Sequence, residues 1–126
     1  MYPKDLKYSK EHEWARADGK TATVGITTFA AEQLGDVVFV SLPAVGSQVK
    51  QLGKFGEIES VKAVSDLFSP VSGKVLEVNK STSDSPEVVN SDTYGDGWLI
   101  KVEMSDPAEL NKLMDSAAYE KLVAES

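Results

Sequence analysis

The sequence predicts an antiparallel, mainly β domain with one short helix in its N-terminal half and helices at its C-terminal end. Residues 45–79 alternate short apolar runs with the turn residues Gly46, Gly53, Gly56, Pro70 and Ser72-Gly73, a small all-β pattern. Trp98, Ile100, Val102 and Met104 alternate with Leu99, Lys101 and Glu103, and this period of two lays one apolar face on a core. Beyond them, Ser105-Asp106-Pro107 joins a capping residue to proline at a first helical position, which fixes where strands give way to helix.

Taken from the N-terminus, Asp18-Gly19 separates two β-type runs within 13–27 and predicts a hairpin with a type I′ turn, whose central residues both need positive φ. Thr28 is expected to cap a helix of one or two turns, Phe29–Leu34, which Gly35 ends with a left-handed residue. The run 36–42 (DVVFVSL), dense in β-branched and aromatic residues and stopped by Pro43, predicts a strand buried on both faces. A last strand follows Gly97. In the C-terminal region Leu110, Leu113 and Met114 are predicted to share one helix face, and Asp115 to cap a second helix through Tyr119, Leu122 and Val123. With no repeat of about 20–50 residues, no low-complexity segment and no long Pro/Gly linker, residues 1–126 are expected to form one domain.

Composition restricts the function. Thirteen Lys and Arg stand against 20 Asp and Glu, a net charge of -7, so phosphate backbones and anionic membranes are repelled and nucleic acid is not an expected partner. There is no run of about 18 apolar residues, and Met1-Tyr2-Pro3-Lys4-Asp5 lacks the apolar segment of a signal peptide. The expectation is a soluble bacterial cytoplasmic protein, or a mitochondrial matrix protein if the chain is a processed eukaryotic form. The absence of cysteine leaves no disulfide, thiolate metal site or cysteine nucleophile, so any thiol chemistry has to come from an added group.

Gly56 to Asp66 reads as two short strands joined by a tight turn, with Lys62 near the apex and exposed, although spacing alone does not separate it from any surface lysine. His12 beside Glu13 offers an acid–base pair, the basis of a competing reading as a small enzyme, but no nucleophile, oxyanion donor or metal constellation accompanies it. Trp14 and Trp98, at strand positions, read as core or cleft walls.

The stretch 56–79, GEIESVKAVSDLFSPVSGKVLEVN, resembles the lipoyl-attachment region of glycine cleavage H proteins. The resemblance continues in 8–14 (YSKEHEW), 24–27 (VGIT), 33–40 (QLGDVVFV) and 94–99 (YGDGWL), and so covers nearly the whole chain. It implies the hybrid barrel-sandwich fold of lipoyl and biotinyl domains, with a core lipoyl-type region at about 22–104 and a helical extension over 105–126. It also implies a monomeric, non-catalytic carrier with lipoate amide-linked to Lys62. Such a carrier takes an aminomethyl group from glycine decarboxylase to a tetrahydrofolate-dependent aminomethyltransferase, and reducing equivalents to dihydrolipoyl dehydrogenase. By position, Glu13 and Asp66 match the acidic residues that hold the amine of the loaded arm in a cleft, and Glu59 matches a position recognised by lipoate-attaching enzymes. Glu11 stands where some members have serine, which leaves a Glu11 contact unassigned, and Gly73 is expected to serve a turn. Biotinyl domains place methionines beside their lysine, whereas the neighbours here are Val61 and Ala63. Lipoyl domains of 2-oxoacid dehydrogenases have Asp directly before it and lack the His12-Glu13-Trp14 region. Service to those complexes, as a lipoyl domain or a lipoyl relay, is the alternative.

Overall fold

The computed structural model describes residues 2–126. Its strands are β1 (Lys7–Tyr8), β2 (Glu13–Asp18), β3 (Thr21–Ile26), β4 (Val37–Ser41), β5 (Gln48–Val49), β6 (Lys54–Ser60), β7 (Val64–Phe68), β8 (Gly73–Val78) and β9 (Ile100–Met104). The α-helices are α1 (Thr28–Leu34), α2 (Ser81–Asp84), α3 (Val88–Ser91) and α4 (Ser116–Ala124), with a 3-10 helix over Pro107–Lys112. One sheet has the order β1-β2-β3-β9-β8-β5 and the other β4-β6-β7, with all pairings antiparallel.

The alternation read in the sequence is what joins the two sheets. Val24, Val75, Ile100 and Val102 of the larger sheet bury one face, and Val40, Ile58 and Leu67 of the smaller sheet belong to the same apolar cluster. A second cluster is aromatic: Tyr2, Leu6, Tyr8, Trp14 and Tyr119 pack with Phe29 and Tyr94. Here the rings of Tyr8 and Tyr119 stack at 4.8 Å, which docks α4 on the outer strands. Trp14 fits because Gly25, paired with it across β2 and β3, has no side chain; a Cβ there would lie 2.6 Å from the indole.

The structure corrects the sequence reading at particular places. Asp18 pairs with Thr21, so the hairpin turns on Gly19-Lys20, and only Gly19 has positive φ (62°). One positive-φ residue at the first central position suits a type II′ turn instead of type I′. Thr27, not Thr28, caps α1: its backbone is extended and its hydroxyl accepts the Ala30 N–H. Gly35 (φ 81°) ends the helix as expected.

Strand β4 is buried on one face only. It lies at the edge of the three-stranded sheet, and a bulge between Val37 and Phe39 turns Val38 and Phe39 outward while Val37 and Val40 stay inside. In the C-terminal region Pro107–Lys112 is a 3-10 helix, and Leu113 beyond it is extended. Leu110 and Leu113 therefore pack on the main core while Met114 joins the aromatic cluster, so the three do not share one helix face. Gly73 opens β8 where a Cβ would run into the Glu103 carbonyl of β9, a close approach in place of the expected turn. Asp115 caps α4 as predicted, accepting the Ala118 N–H at 2.9 Å.

Candidate functional site

Lys62 stands at the tip of the β6–β7 hairpin, on the exposed turn 61–63. Buried Ser60 holds this turn from beneath: its Oγ accepts the N–H groups of Lys62 (3.3 Å) and Ala63 (3.1 Å), and its own N–H donates to Ala63 O at 2.8 Å. The Val61 N–H donates to Asp36 O at 3.0 Å, tying the tip to the α1–β4 junction. That junction is pinned by Asn90 of α3, which donates to Gly35 O and accepts the Val37 N–H, both at 2.9 Å. The Lys62 stem passes over Gly35, where a Cβ would sit 3.5 Å from Cε. A fixed anchor thus carries a long, free amine.

Beside the tip runs an open cleft of about 420 Å³. The consecutive residues Ala63 to Phe68 form one wall, because β7 is the edge strand of its sheet and presents its backbone to the groove. The other wall is the segment Glu11 to Glu13 with Phe29, Ala30, Gln33 and Leu34.

Glu13 is the buried polar group of this cleft, with 2 % of its surface exposed. It accepts the Ser9 hydroxyl at 2.8 Å and the Phe68 N–H at 3.1 Å, so it also ties the two walls together. Burial pushes its carboxyl up to about 8, against those hydrogen bonds, which pull it down. Asp66 lines the same cleft, but it sits opposite Glu57 in the β6–β7 register, and its carboxylate is 3.2 Å from Lys54 Nζ, which also holds Glu57 at 2.7 Å. The two expected acidic residues therefore share a cleft, while only Glu13 is sequestered in it. Glu59 lies on the outer face of the hairpin, away from the cleft, between Phe39 and Val64. Glu11 is exposed at the cleft rim.

His12 and Glu13 do not bond each other. His12 Nδ1 is 2.8 Å from the Tyr119 hydroxyl, which is 2.7 Å from Thr27 Oγ1, and burial lowers the imidazole's pKa. The donors can run in one sense, Thr27 to Tyr119 to His12, while Ala30 N–H donates to Thr27. His12 holds φ at 72°, a costly conformation for a side chain of this size, and this network together with the Phe29 ring fixes it there. Trp14 is fully buried with its indole N–H unpartnered, and Trp98 is half-buried beneath Lys101. The sequence does not mark Ser60, Asn90 and Tyr119 as site residues: Asn90 and Tyr119 act on partners far away in the chain, and Ser60, which bonds within three residues, is one serine among many.

A pair of antiparallel sheets around one core, presenting an exposed lysine on a braced hairpin beside a half-apolar groove, is the architecture of a lipoyl-type carrier domain. The glycine cleavage H-protein family matches residues 6–126. A glycine cleavage system H protein from Symbiobacterium thermophilum is 59% identical over 98% of this chain and 96% of its own, and one from Carboxydothermus hydrogenoformans is 56% identical over 99% and 96%. The crystal structure of a glycine cleavage system H protein from Mycobacterium marinum superposes with a TM-score of 0.90 at 40% identity, covering 98% of this chain and 99% of that one. The chain belongs to the glycine cleavage H-protein family.

Proposed function

We propose that this chain is the lipoyl-bearing shuttle of the glycine cleavage system, a non-catalytic carrier with lipoate in amide linkage to Lys62. The observation that carries the reading is the exposed Lys62 amine on a turn immobilised by Ser60 and Asp36, directly beside the cleft. The residues present fit such a group: a primary amine free to be acylated, and a groove walled by Phe29, Ala30 and Leu34 that suits an alkyl chain. When bound, lipoate supplies a dithiolane able to carry a one-carbon amine fragment and reducing equivalents between active sites.

This chain's own contribution is to hold, shield and release. The apolar wall offers a bound arm a surface that water wets poorly, and the buried Glu13 lines the cleft as a carboxyl protonated below about pH 8. An amine entering the cleft as a cation would lower that pKa, so Glu13 passes its proton to solvent and becomes the counter-ion at the moment it is needed. Asp66 can add a second contact by exchanging Lys54 for the amine. Glu59, on the outer face, is assigned to recognition by the lipoate-attaching enzyme. The partners are glycine decarboxylase, the aminomethyltransferase and dihydrolipoyl dehydrogenase, met as a monomer in a bacterial cytoplasm. The bacterial relatives support that setting.

Replacing Lys62 by arginine tests the reading. In glycine cleavage reconstituted from purified components, K62R should give no turnover with an unchanged circular dichroism spectrum, because guanidinium keeps the charge but is not acylated. Undiminished turnover would overturn it.

A further inference from the structure

The Tyr119 hydroxyl does something its ring does not. The ring stacks on Tyr8 at 4.8 Å and meets Tyr2 edge-on at 4.9 Å, contacts that a phenylalanine would keep, so the docking of α4 accounts for the ring alone. The hydroxyl lies 2.7 Å from Thr27 Oγ1 and 2.8 Å from His12 Nδ1, in a residue with no exposed surface. It joins the N-cap of α1 to the segment 11–13, two parts of one cleft wall, from a helix that does not itself line the cleft. The buried Thr27 settles the direction of the donors. It already accepts the Ala30 N–H, and if Tyr119 donated to it as well, the Thr27 O–H would have no acceptor among the described residues. Thr27 therefore donates to Tyr119, and Tyr119 to His12.

The backbone shows what that last bond holds. His12 is one of two non-glycine residues with positive φ among the described residues, and this left-handed step folds 9–13 back on itself. The His12 N–H donates to Ser9 O at 3.1 Å and the Ser9 N–H to Glu13 O at 2.9 Å. The fold-back sets buried Ser9 against Glu13: Ser9 Oγ accepts the Glu13 N–H at 3.1 Å and donates to Glu13 Oε1 at 2.8 Å. Glu13 Oε2 is left aimed across the cleft at the Phe68 N–H, 3.1 Å away.

We infer that Tyr119 is a positioning residue for the amine-holding carboxyl: from the C-terminal helix its hydroxyl locks His12 in the left-handed conformation, and through the Ser9 clasp this aims Glu13 into the cleft. The inference rests on the carrier reading for what Glu13 holds, while the network itself needs no arm. A hydroxyl 107 residues from His12 thus sets how the cleft presents its buried carboxyl.

The Phe68 N–H reports the outcome directly, because it donates to Glu13 from the open edge of β7. The test is amide exchange, followed by NMR at pH 7 on the full unmodified chain, in wild type, Y119F, H12G and H12G/Y119F, with E13A giving the rate when the bond is absent. Glycine takes positive φ freely, so in H12G the turn needs no lock. Y119F should speed exchange of the Phe68 N–H about tenfold or more relative to the amides of β9, whereas adding Y119F to H12G should change it by less than about twofold. H12N, whose short side chain also tolerates this φ, should repeat the cycle. A role in packing alone is not cancelled by either substitution. On lipoylated protein loaded from glycine by glycine decarboxylase, Y119F should shed the aminomethyl group several times faster than wild type, read by intact mass.

Unchanged Phe68 exchange in Y119F, or equal acceleration with and without H12G, would overturn the positioning route. Aminomethyl retention equal to wild type in Y119F, despite faster Phe68 exchange, would overturn its link to the amine. A chain that takes up no lipoate would overturn the carrier reading, and the exchange cycle on the unmodified chain would still judge the positioning route by itself.

Discussion

Glu13→Gln should abolish the decline in stability that Glu13 imposes as pH rises from about 5 to 8. The native carboxyl titrates near 8 because it is buried, against an ordinary value of 4.5. Between those two values the unfolded chain has released the proton and the native chain keeps it. Stability therefore declines as pH rises, and the contribution present below 4.5 is gone above about 8. At about 1.4 kcal/mol per pH unit the full window is worth about 5 kcal/mol, a ceiling that water entering the cleft on ionisation would reduce to about 2–3 kcal/mol. Glutamine keeps the shape, and its carbonyl can still accept the Phe68 N–H, so the variant loses the titration without leaving a cavity. Urea unfolding at pH 5, 6, 7, 8 and 9, followed by tryptophan fluorescence, reads both curves. Wild type should lose stability across the window while E13Q does not, keeping only the opposite trend of His12, whose burial-lowered pKa makes stability rise with pH up to about 6.5, so that E13Q is the more stable of the two at pH 9. Parallel curves would refute the assignment of a proton-holding carboxyl to Glu13.

Removing the Tyr119 hydroxyl by phenylalanine leaves the Thr27 and His12 partners unmatched, and should cost about 1–3 kcal/mol in thermal or urea unfolding while the ring stacking on Tyr8 persists. Because Thr27 also caps α1 and His12 borders the cleft, amide exchange in 12–13 and 28–30 should quicken in Y119F before the β8–β9 core does. Asn90→Ala removes both bonds that pin the α1–β4 junction, at about 1–3 kcal/mol, and should raise exchange at Val37 and Val61 with little change in the larger sheet.

How much the sequence discloses depends on whether a feature is local. Period-two alternation located β9, turn residues located the β6–β7 hairpin, and Asp115 and Gly35 marked helix ends correctly, because each works within a few residues of itself. The DVVFVSL run misled because composition does not reveal that a strand is at a sheet edge, or that a bulge will turn two neighbours outward. Helices α2 and α3, four residues each, are too short to show a period, yet α3 supplies Asn90. Residue type placed Lys62 on a hairpin tip, but only the extended resemblance singled it out. Glu13 and Asp66 were read as equivalent carboxylates. The fold distinguishes them, enclosing Glu13 between two walls and giving Asp66 to Lys54. That difference arises from Glu13 meeting Phe68 across the cleft and from the β6–β7 pairing that sets Asp66 beside Lys54, contacts between residues distant in the chain that have no local signature.

The central claim is that Lys62 carries the arm, and intact mass with peptide mapping tests it most directly, on protein made in a lipoate-supplied host competent for lipoylation. The predicted result is a gain of one lipoyl group, located on Lys62 and on none of the other lysines. A chain that remains unmodified under those conditions, or is modified elsewhere while Lys62 stays bare, would contradict it.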